Sequence, residues 1–171
     1  EIWLAFKKEC DYAFGVWKEN NPDLVLDENE FYLVGEVYNY AISHGKEFDF
    51  GDKKVNYFDN GFRSLINFEF KSDANKPYEE LFAKYDSLLH LNLNGYGTMN
   101  YVTSHDDGGP FDKERKRAKE AGTKLLLCPG TTQVYYGDES ARDLTIEGTQ
   151  GDATLRSFMN WDEIANNPQT K

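Results

Sequence analysis

The sequence predicts an α/β fold built on a parallel sheet, and three observations predict it. Helical and strand-like patterns alternate along the chain, the strand-like stretches are apolar on both faces, and acidic residues follow three of the four of them. Alternation means parallel strands joined by helical crossovers. A strand apolar on both faces belongs in a sheet covered by helices. In such folds the reactive groups gather beyond the carboxyl ends of the strands, where the loops converge.

Each element has its own signal. Residues 1–18 carry Trp3, Phe6, Cys10, Phe14 and Trp17 at helical spacing, and Asn20-Asn21-Pro22 stops that helix. Residues 31–37 read as the first strand, followed by a polar loop rich in Gly, Asp and Lys up to Gly61. Residues 64–70 read as a second strand. Pro77 suits the first position of a helix whose apolar face is Leu81, Phe82, Tyr85, Leu88 and Leu89. Residues 98–104 form a third strand and residues 113–128 a helix, which Pro129-Gly130 breaks. Residues 132–136 form a fourth strand ended by Gly137, and the tail is irregular, with a short helix after Asp162.

The 171 residues are 39% hydrophobic, enough for one globular domain with a real core. A net charge of -11 argues against nucleic acid as partner, because phosphate binding needs a basic patch. The one dense basic stretch, residues 113–117, is mixed with acid and reads as the wet face of a helix. No run approaches the roughly 18 apolar residues of a membrane helix, so no membrane partner is expected. Aromatic residues reach 15%. Packing is their default role, but a surplus of Tyr in loops also suits a ligand with flat apolar faces, such as a sugar. Cys10 and Cys128 are far apart and outside any metal-binding spacing, so they read as two small hydrophobes. The chain opens directly into a helical pattern, and its natural N-terminus is expected to lie outside it.

Glu36 ends the first strand, His105-Asp106 follow the third, and Asp138-Glu139 follow the fourth. Two carboxylates facing one cleft are the equipment of glycoside hydrolysis: one donates a proton to the leaving oxygen, and another attacks the anomeric carbon or activates water. Taken singly, Glu36 also suits a helix cap or an ion pair, and Asp106 a turn that caps the next helix.

In combination, the segments resemble the α-amylase family of glycoside hydrolases, a (β/α)8-barrel clan. "LVGEVY" resembles the family's fifth-strand segment, "GFRSLINFEF" falls where the sixth strand should be, and "YVTSHDD" is similar to the seventh-strand segment. "PGTTQVYYGDE" resembles the eighth-strand segment, and "LRSFMNWDE" the stretch beyond it, where an Arg, a Met and a Trp recur. The matches come in family order, span nearly the whole chain, and are most like bacterial periplasmic or extracellular α-amylases. The resemblance implies a partial TIM barrel, strands 5 to 8 with their helices, running through residues 1–171 as one partial domain.

By that resemblance Glu36 is the general acid/base and Asp106 the carboxylate that holds the sugar and supports its oxocarbenium character. His105 hydrogen-bonds the same sugar. Tyr38 stacks on a neighbouring glucose or packs. Gly137 and Glu139 shape their loop. The implied partner is an α-glucan oligosaccharide or polysaccharide, and the implied location periplasmic or extracellular. No cofactor is required. Family members often hold a structural calcium, whose ligands are expected outside this chain.

The family's nucleophile is an Asp on the fourth strand, in a motif like "DGFRxD", ahead of the acid/base. "DNGFRSL" at residues 59–65 is a decoy: it follows Glu36, and Leu65 stands at the nucleophile position. The nucleophile strand and the C-terminal β-domain are therefore expected to be absent, the isolated piece inactive, and its bare sheet edges prone to self-association. The same motifs also serve α-1,6-hydrolases, glucan transglycosylases and non-catalytic carbohydrate-binding relatives. An unrelated doubly wound domain would need a phosphate-binding glycine loop, and no such motif occurs.

Overall fold

A computed structural model describes residues 1–167. Helix α1 (Ile2–Asn20) ends where the side-chain amides of Asn20 and Asn21 donate to the carbonyls of Val16 and Trp17, both at 2.8 Å. Pro22 then opens a single 3-10 turn. No residue of α1 is fully buried. Its aromatic side lies against the sheet, Trp3 on Phe62 (5.2 Å between ring centres) and Phe14 on Phe31 (6.2 Å).

The first predicted strand shrinks to β1 (Val34–Gly35). The apolar run before it is not buried on both faces, since Phe31 and Tyr32 are exposed. Phe31 serves α1, and the Tyr32 hydroxyl reaches Thr131 Oγ1 at 2.8 Å. The polar loop after β1 is not structureless. It holds an antiparallel hairpin, β2 (Glu47–Asp49) with β3 (Lys54–Asn56), turned at Gly51 with φ +90° and Asp49 Oδ1 accepting from the Gly51 amide at 2.7 Å.

Strand β4 (Ser64–Asn67) leads into α2 (Phe70–Asp73) and α3 (Tyr78–Leu88), which widens into a π turn over Leu89–Leu93. Strand β5 (Gly97–Asn100) stops short of its predicted end, and the chain from Tyr101 to Ser104 is buried without being a strand. Helix α4 (Ala118–Leu127) starts later than expected. Arg115 has φ +55°, outside the helical region, and Asp112 accepts from the Lys116 and Arg117 amides at 2.9 and 2.8 Å just ahead of the helix. The last strand is β6 (Thr131–Thr132), and α5 (Trp161–Asn166) is the short helix of the tail.

The four strands β1-β4-β5-β6 form one parallel sheet in that order. β1 and β6 are its edges. Each has a neighbour on one side only and pairs with it over two residues.

Helices and loops cover one face of the sheet. Tyr40, Leu65, Phe70, Leu81, Tyr85 and Leu93 are fully buried there. Two asparagines cross this layer. Asn67 Nδ2 donates to Tyr85 Oη (2.9 Å) and to Asn100 Oδ1 (3.0 Å), and Asn100 Nδ2 donates to the Pro129 carbonyl (3.2 Å). Buried polar groups are stable only when satisfied in this way.

Candidate active site

The register places the site. Val34 pairs with Ser64 and Ser64 with Gly97, while Met99 pairs with Thr131. Side chains alternate along each strand, so residues two and four further on keep the same face. Glu36 then shares a rung with Ile66 and Met99. Phe68, Tyr101 and Gln133 form the next rung, at the carboxyl ends. Leu65 and Asn67 point the other way, into the helix-covered core.

A small hollow opens at that end, lined by Glu36, Ile66, Phe68, Tyr101, Gln133 and the loop residues Ser104, His105 and Asp106. The structure thus brings Glu36, His105 and Asp106 to one place, on the same side of the sheet. Glu36 is solvent-exposed, and no hydrogen bond or ion pair ties its carboxylate to another described residue. It is neither a helix cap nor half of an ion pair. Asp106 accepts from Ser104 Oγ at 3.0 Å and lies 3.4 Å from His105 Nε2. It does not cap α4, which has no side-chain cap. Tyr38 is 72% exposed, outside the hollow, and packs edge-on against Phe68 with ring centres 5.5 Å apart. Phe68 in turn meets Tyr101 at 5.9 Å, so three aromatic rings run from the surface to the hollow.

The hollow has a volume of about 30 Å³. That is room for one water and not for a sugar ring. Larger cavities lie elsewhere: one of about 830 Å³ between α1 and the amino ends of the strands, and one of about 530 Å³ beside α4. Chemistry outranks volume here, because the conserved logic of parallel α/β folds puts reactive groups at the carboxyl ends. The decoy motif belongs to the largest cavity. Arg63 sits at the amino end of β4 with its guanidinium 5.6 Å from the Tyr96 ring centre, away from Glu36. Leu65 is fully buried in the core.

Sequence reasoning passed over Asp107. Its carboxylate accepts from Tyr101 Oη at 2.6 Å, from Lys71 Nζ, and from the Gly109 amide at 3.3 Å. Burial opposes its charge, but the Lys71 and Tyr101 hydrogen bonds outweigh burial and hold the carboxyl below the ordinary range. Tyr101 is pushed the other way, by burial first and then by Asp107. Nothing in the spacing of Lys71 and Asp107, 36 residues apart, announces the pair.

Gly137 and Glu139 lie apart from the hollow. Gly137 has φ +81°, and a Cβ there would meet Arg142 at 2.6 Å. Arg142 is buried and holds the tail: Nε donates to the Tyr136 carbonyl at 3.0 Å and Nη1 to the Ser157 carbonyl at 3.0 Å. Asp138 is largely buried, and Arg115 Nη2 stands 2.8 Å from its Oδ1, a contact close enough for an ion pair but misaligned for a hydrogen bond. Burial raises its pKa more than that cation lowers it. Among the described residues there is no group of three or more His, Cys, Asp or Glu side chains that could hold a metal ion.

The periplasmic α-amylase of Escherichia coli strain K12 is 31% identical to this chain over 166 residues, which cover 95% of the chain. The chain is similar to part of an α-amylase. It spans 22% of the length of that relative. The crystal structure of the α-amylase from H. orenii superposes with a TM-score of 0.53 at 20% identity, covering 91% of this chain and 28% of that one. The α/β sheet of four parallel strands is accordingly consistent with part of an α-amylase barrel. No protein-family profile matches the chain.

Proposed function

We propose that this chain supplies the acid/base and sugar-binding groups of a retaining, endo-acting hydrolase of α-1,4-glucans. One observation supports the reading above the others: an unpaired carboxylate, Glu36, stands beside His105 and Asp106 at the carboxyl ends of parallel strands in a chain similar to part of an α-amylase. Glu36 in its protonated form gives its proton to the glycosidic oxygen as that bond breaks. The anomeric carbon becomes bonded to a nucleophile carboxylate, which the resemblance puts ahead of Glu36 in sequence. Glu36, now ionised, takes a proton from the water that attacks the anomeric carbon and displaces that carboxylate, which frees the sugar. Asp106 and His105 hold the hydroxyls of the sugar being cleaved, and the Asp106 charge favours the oxocarbenium-like transition state. A hollow the size of one water means that the ring lies across its mouth, with its edge groups reaching in. Tyr38 offers the neighbouring ring a flat exposed face.

No residue before Glu36 matches the nucleophile motif, so we infer that the 171-residue chain alone does not turn over α-glucans. A periplasmic or extracellular location fits the relative's name, and no described helix is long and apolar enough to cross a membrane. Crystals soaked with acarbose test the site: density touching Glu36, His105 and Asp106 is expected, and a sugar bound elsewhere overturns the assignment. A maltooligosaccharide turnover assay tests the second inference, which hydrolysis by the isolated chain would refute.

A further inference from the structure

His105 and Asp106 have few ties to the rest of the fold. The side chain of Asp106 touches Ser104 and His105, both in its own loop, and the His105 carbonyl accepts from the exposed Arg156 at 3.0 Å. Between Val102 and Phe111, whose backbones close the loop at 2.9 Å, the firm attachment is the next residue. Asp107 is bound by Lys71 on α2, an element anchored through the fully buried Phe70, and by Tyr101, which continues β5 and lines the hollow. The side chains of Lys71 and Asp107 are 19% and 14% exposed. At that burial an ion pair with hydrogen bonds is stronger than a surface pair. Consecutive Cα atoms are about 3.8 Å apart, so whatever fixes Asp107 also limits where Asp106 can go.

We propose that Asp107 is a positioning residue: clamped by Lys71 from the β4 side and Tyr101 from the β5 side, it seats the loop that carries His105 and Asp106 opposite Glu36. The inference rests on the reading of His105 and Asp106 as sugar-binding groups. It adds that the loop's seat is set by a charge pair that joins the loop to α2.

The test uses the full 171-residue chain, with backbone amide exchange by NMR and titration with maltoheptaose. Asp107→Asn and Lys71→Met each speed exchange at residues 103–109 by about tenfold, the loss of one charged hydrogen bond. Exchange in β4 and β5 stays as in the parent chain, maltoheptaose binding weakens by a similar factor, and Lys71→Arg retains slow exchange and full affinity. Unchanged loop exchange in both variants overturns the proposal. So does a uniform acceleration over loop and strands alike, or a Lys71→Arg variant that behaves as Lys71→Met. If Asp107→Asn does not fold, Lys71→Met carries the same test. A parent chain that fails to bind maltoheptaose refutes the reading of the sugar site, while the exchange data still judge the clamp.

Discussion

Gly137 and Arg142 show how a single residue can decide a loop. With φ +81° and Arg142 within 2.6 Å of any added Cβ, Gly137→Ala combines left-handed strain with a clash. We expect a loss of about 1–3 kcal/mol, read as a lower melting temperature. Asp107 carries a pH prediction. Its carboxyl is held below the ordinary range in the folded chain, so the stability it contributes is complete above the unfolded value of about 3.9 and drains as pH falls through the lower folded value. The gap in melting temperature between the parent chain and Asp107→Asn is therefore widest near pH 6 and closes on acidification below pH of about 4, a trend that thermal melts across that range will show. The cysteines divide by exposure. Cys128 is buried, and burial pushes its thiol up to about 12, whereas Cys10 is half-buried on α1. Iodoacetamide at pH 8 should alkylate Cys10 and spare Cys128, as peptide mass mapping can verify.

At the level of elements, α2 is the joint between core and site, since Phe70 faces inward and Lys71 reaches the active loop. Phe70→Ala should cost about 3–5 kcal/mol in denaturant unfolding, as expected for truncating a fully buried aromatic. Helices α1 and α3 were legible in the sequence because a 3.6-residue period persists over many residues. The centres of β4 and β5 were legible too, because Leu65, Ile66 and Met99 sit in β-rich runs bounded by turns, whereas the fourth strand, expected over 132–136, shares only Thr132 with β6. The strand ends were not. Hydrogen bonding to one neighbour sets where an edge strand stops, and Phe31 and Tyr32 look like core until α1 and Thr131 are seen to claim them. The β2–β3 hairpin hid because its residues are mostly charged or polar and only Phe48 and Val55 pair as apolar partners. At the site, Glu36, His105 and Asp106 were readable from their places after strands. The Lys71–Asp107 pair joins residues that only the fold brings together.

Over the whole molecule, the sheet has two open edges, β1 and β6, with Phe31, Tyr32, Val134 and Tyr136 exposed beside them. We propose that these edges drive association of the isolated chain. Sedimentation velocity should show a mass that rises with concentration, and a constant monomer from micromolar to millimolar would contradict it. The parallel register has a consequence for anyone who redesigns this protein. One residue inserted within β4 or β5 would turn every later side chain of that strand to the opposite face of the sheet, and two would lift them by a rung. The segment between β1 and β4 already carries a whole hairpin without disturbing that order. Libraries meant to reshape the hollow should therefore vary the length and content of residues 38–61, and keep the spacing from 64 to 68 and from 97 to 101 unaltered.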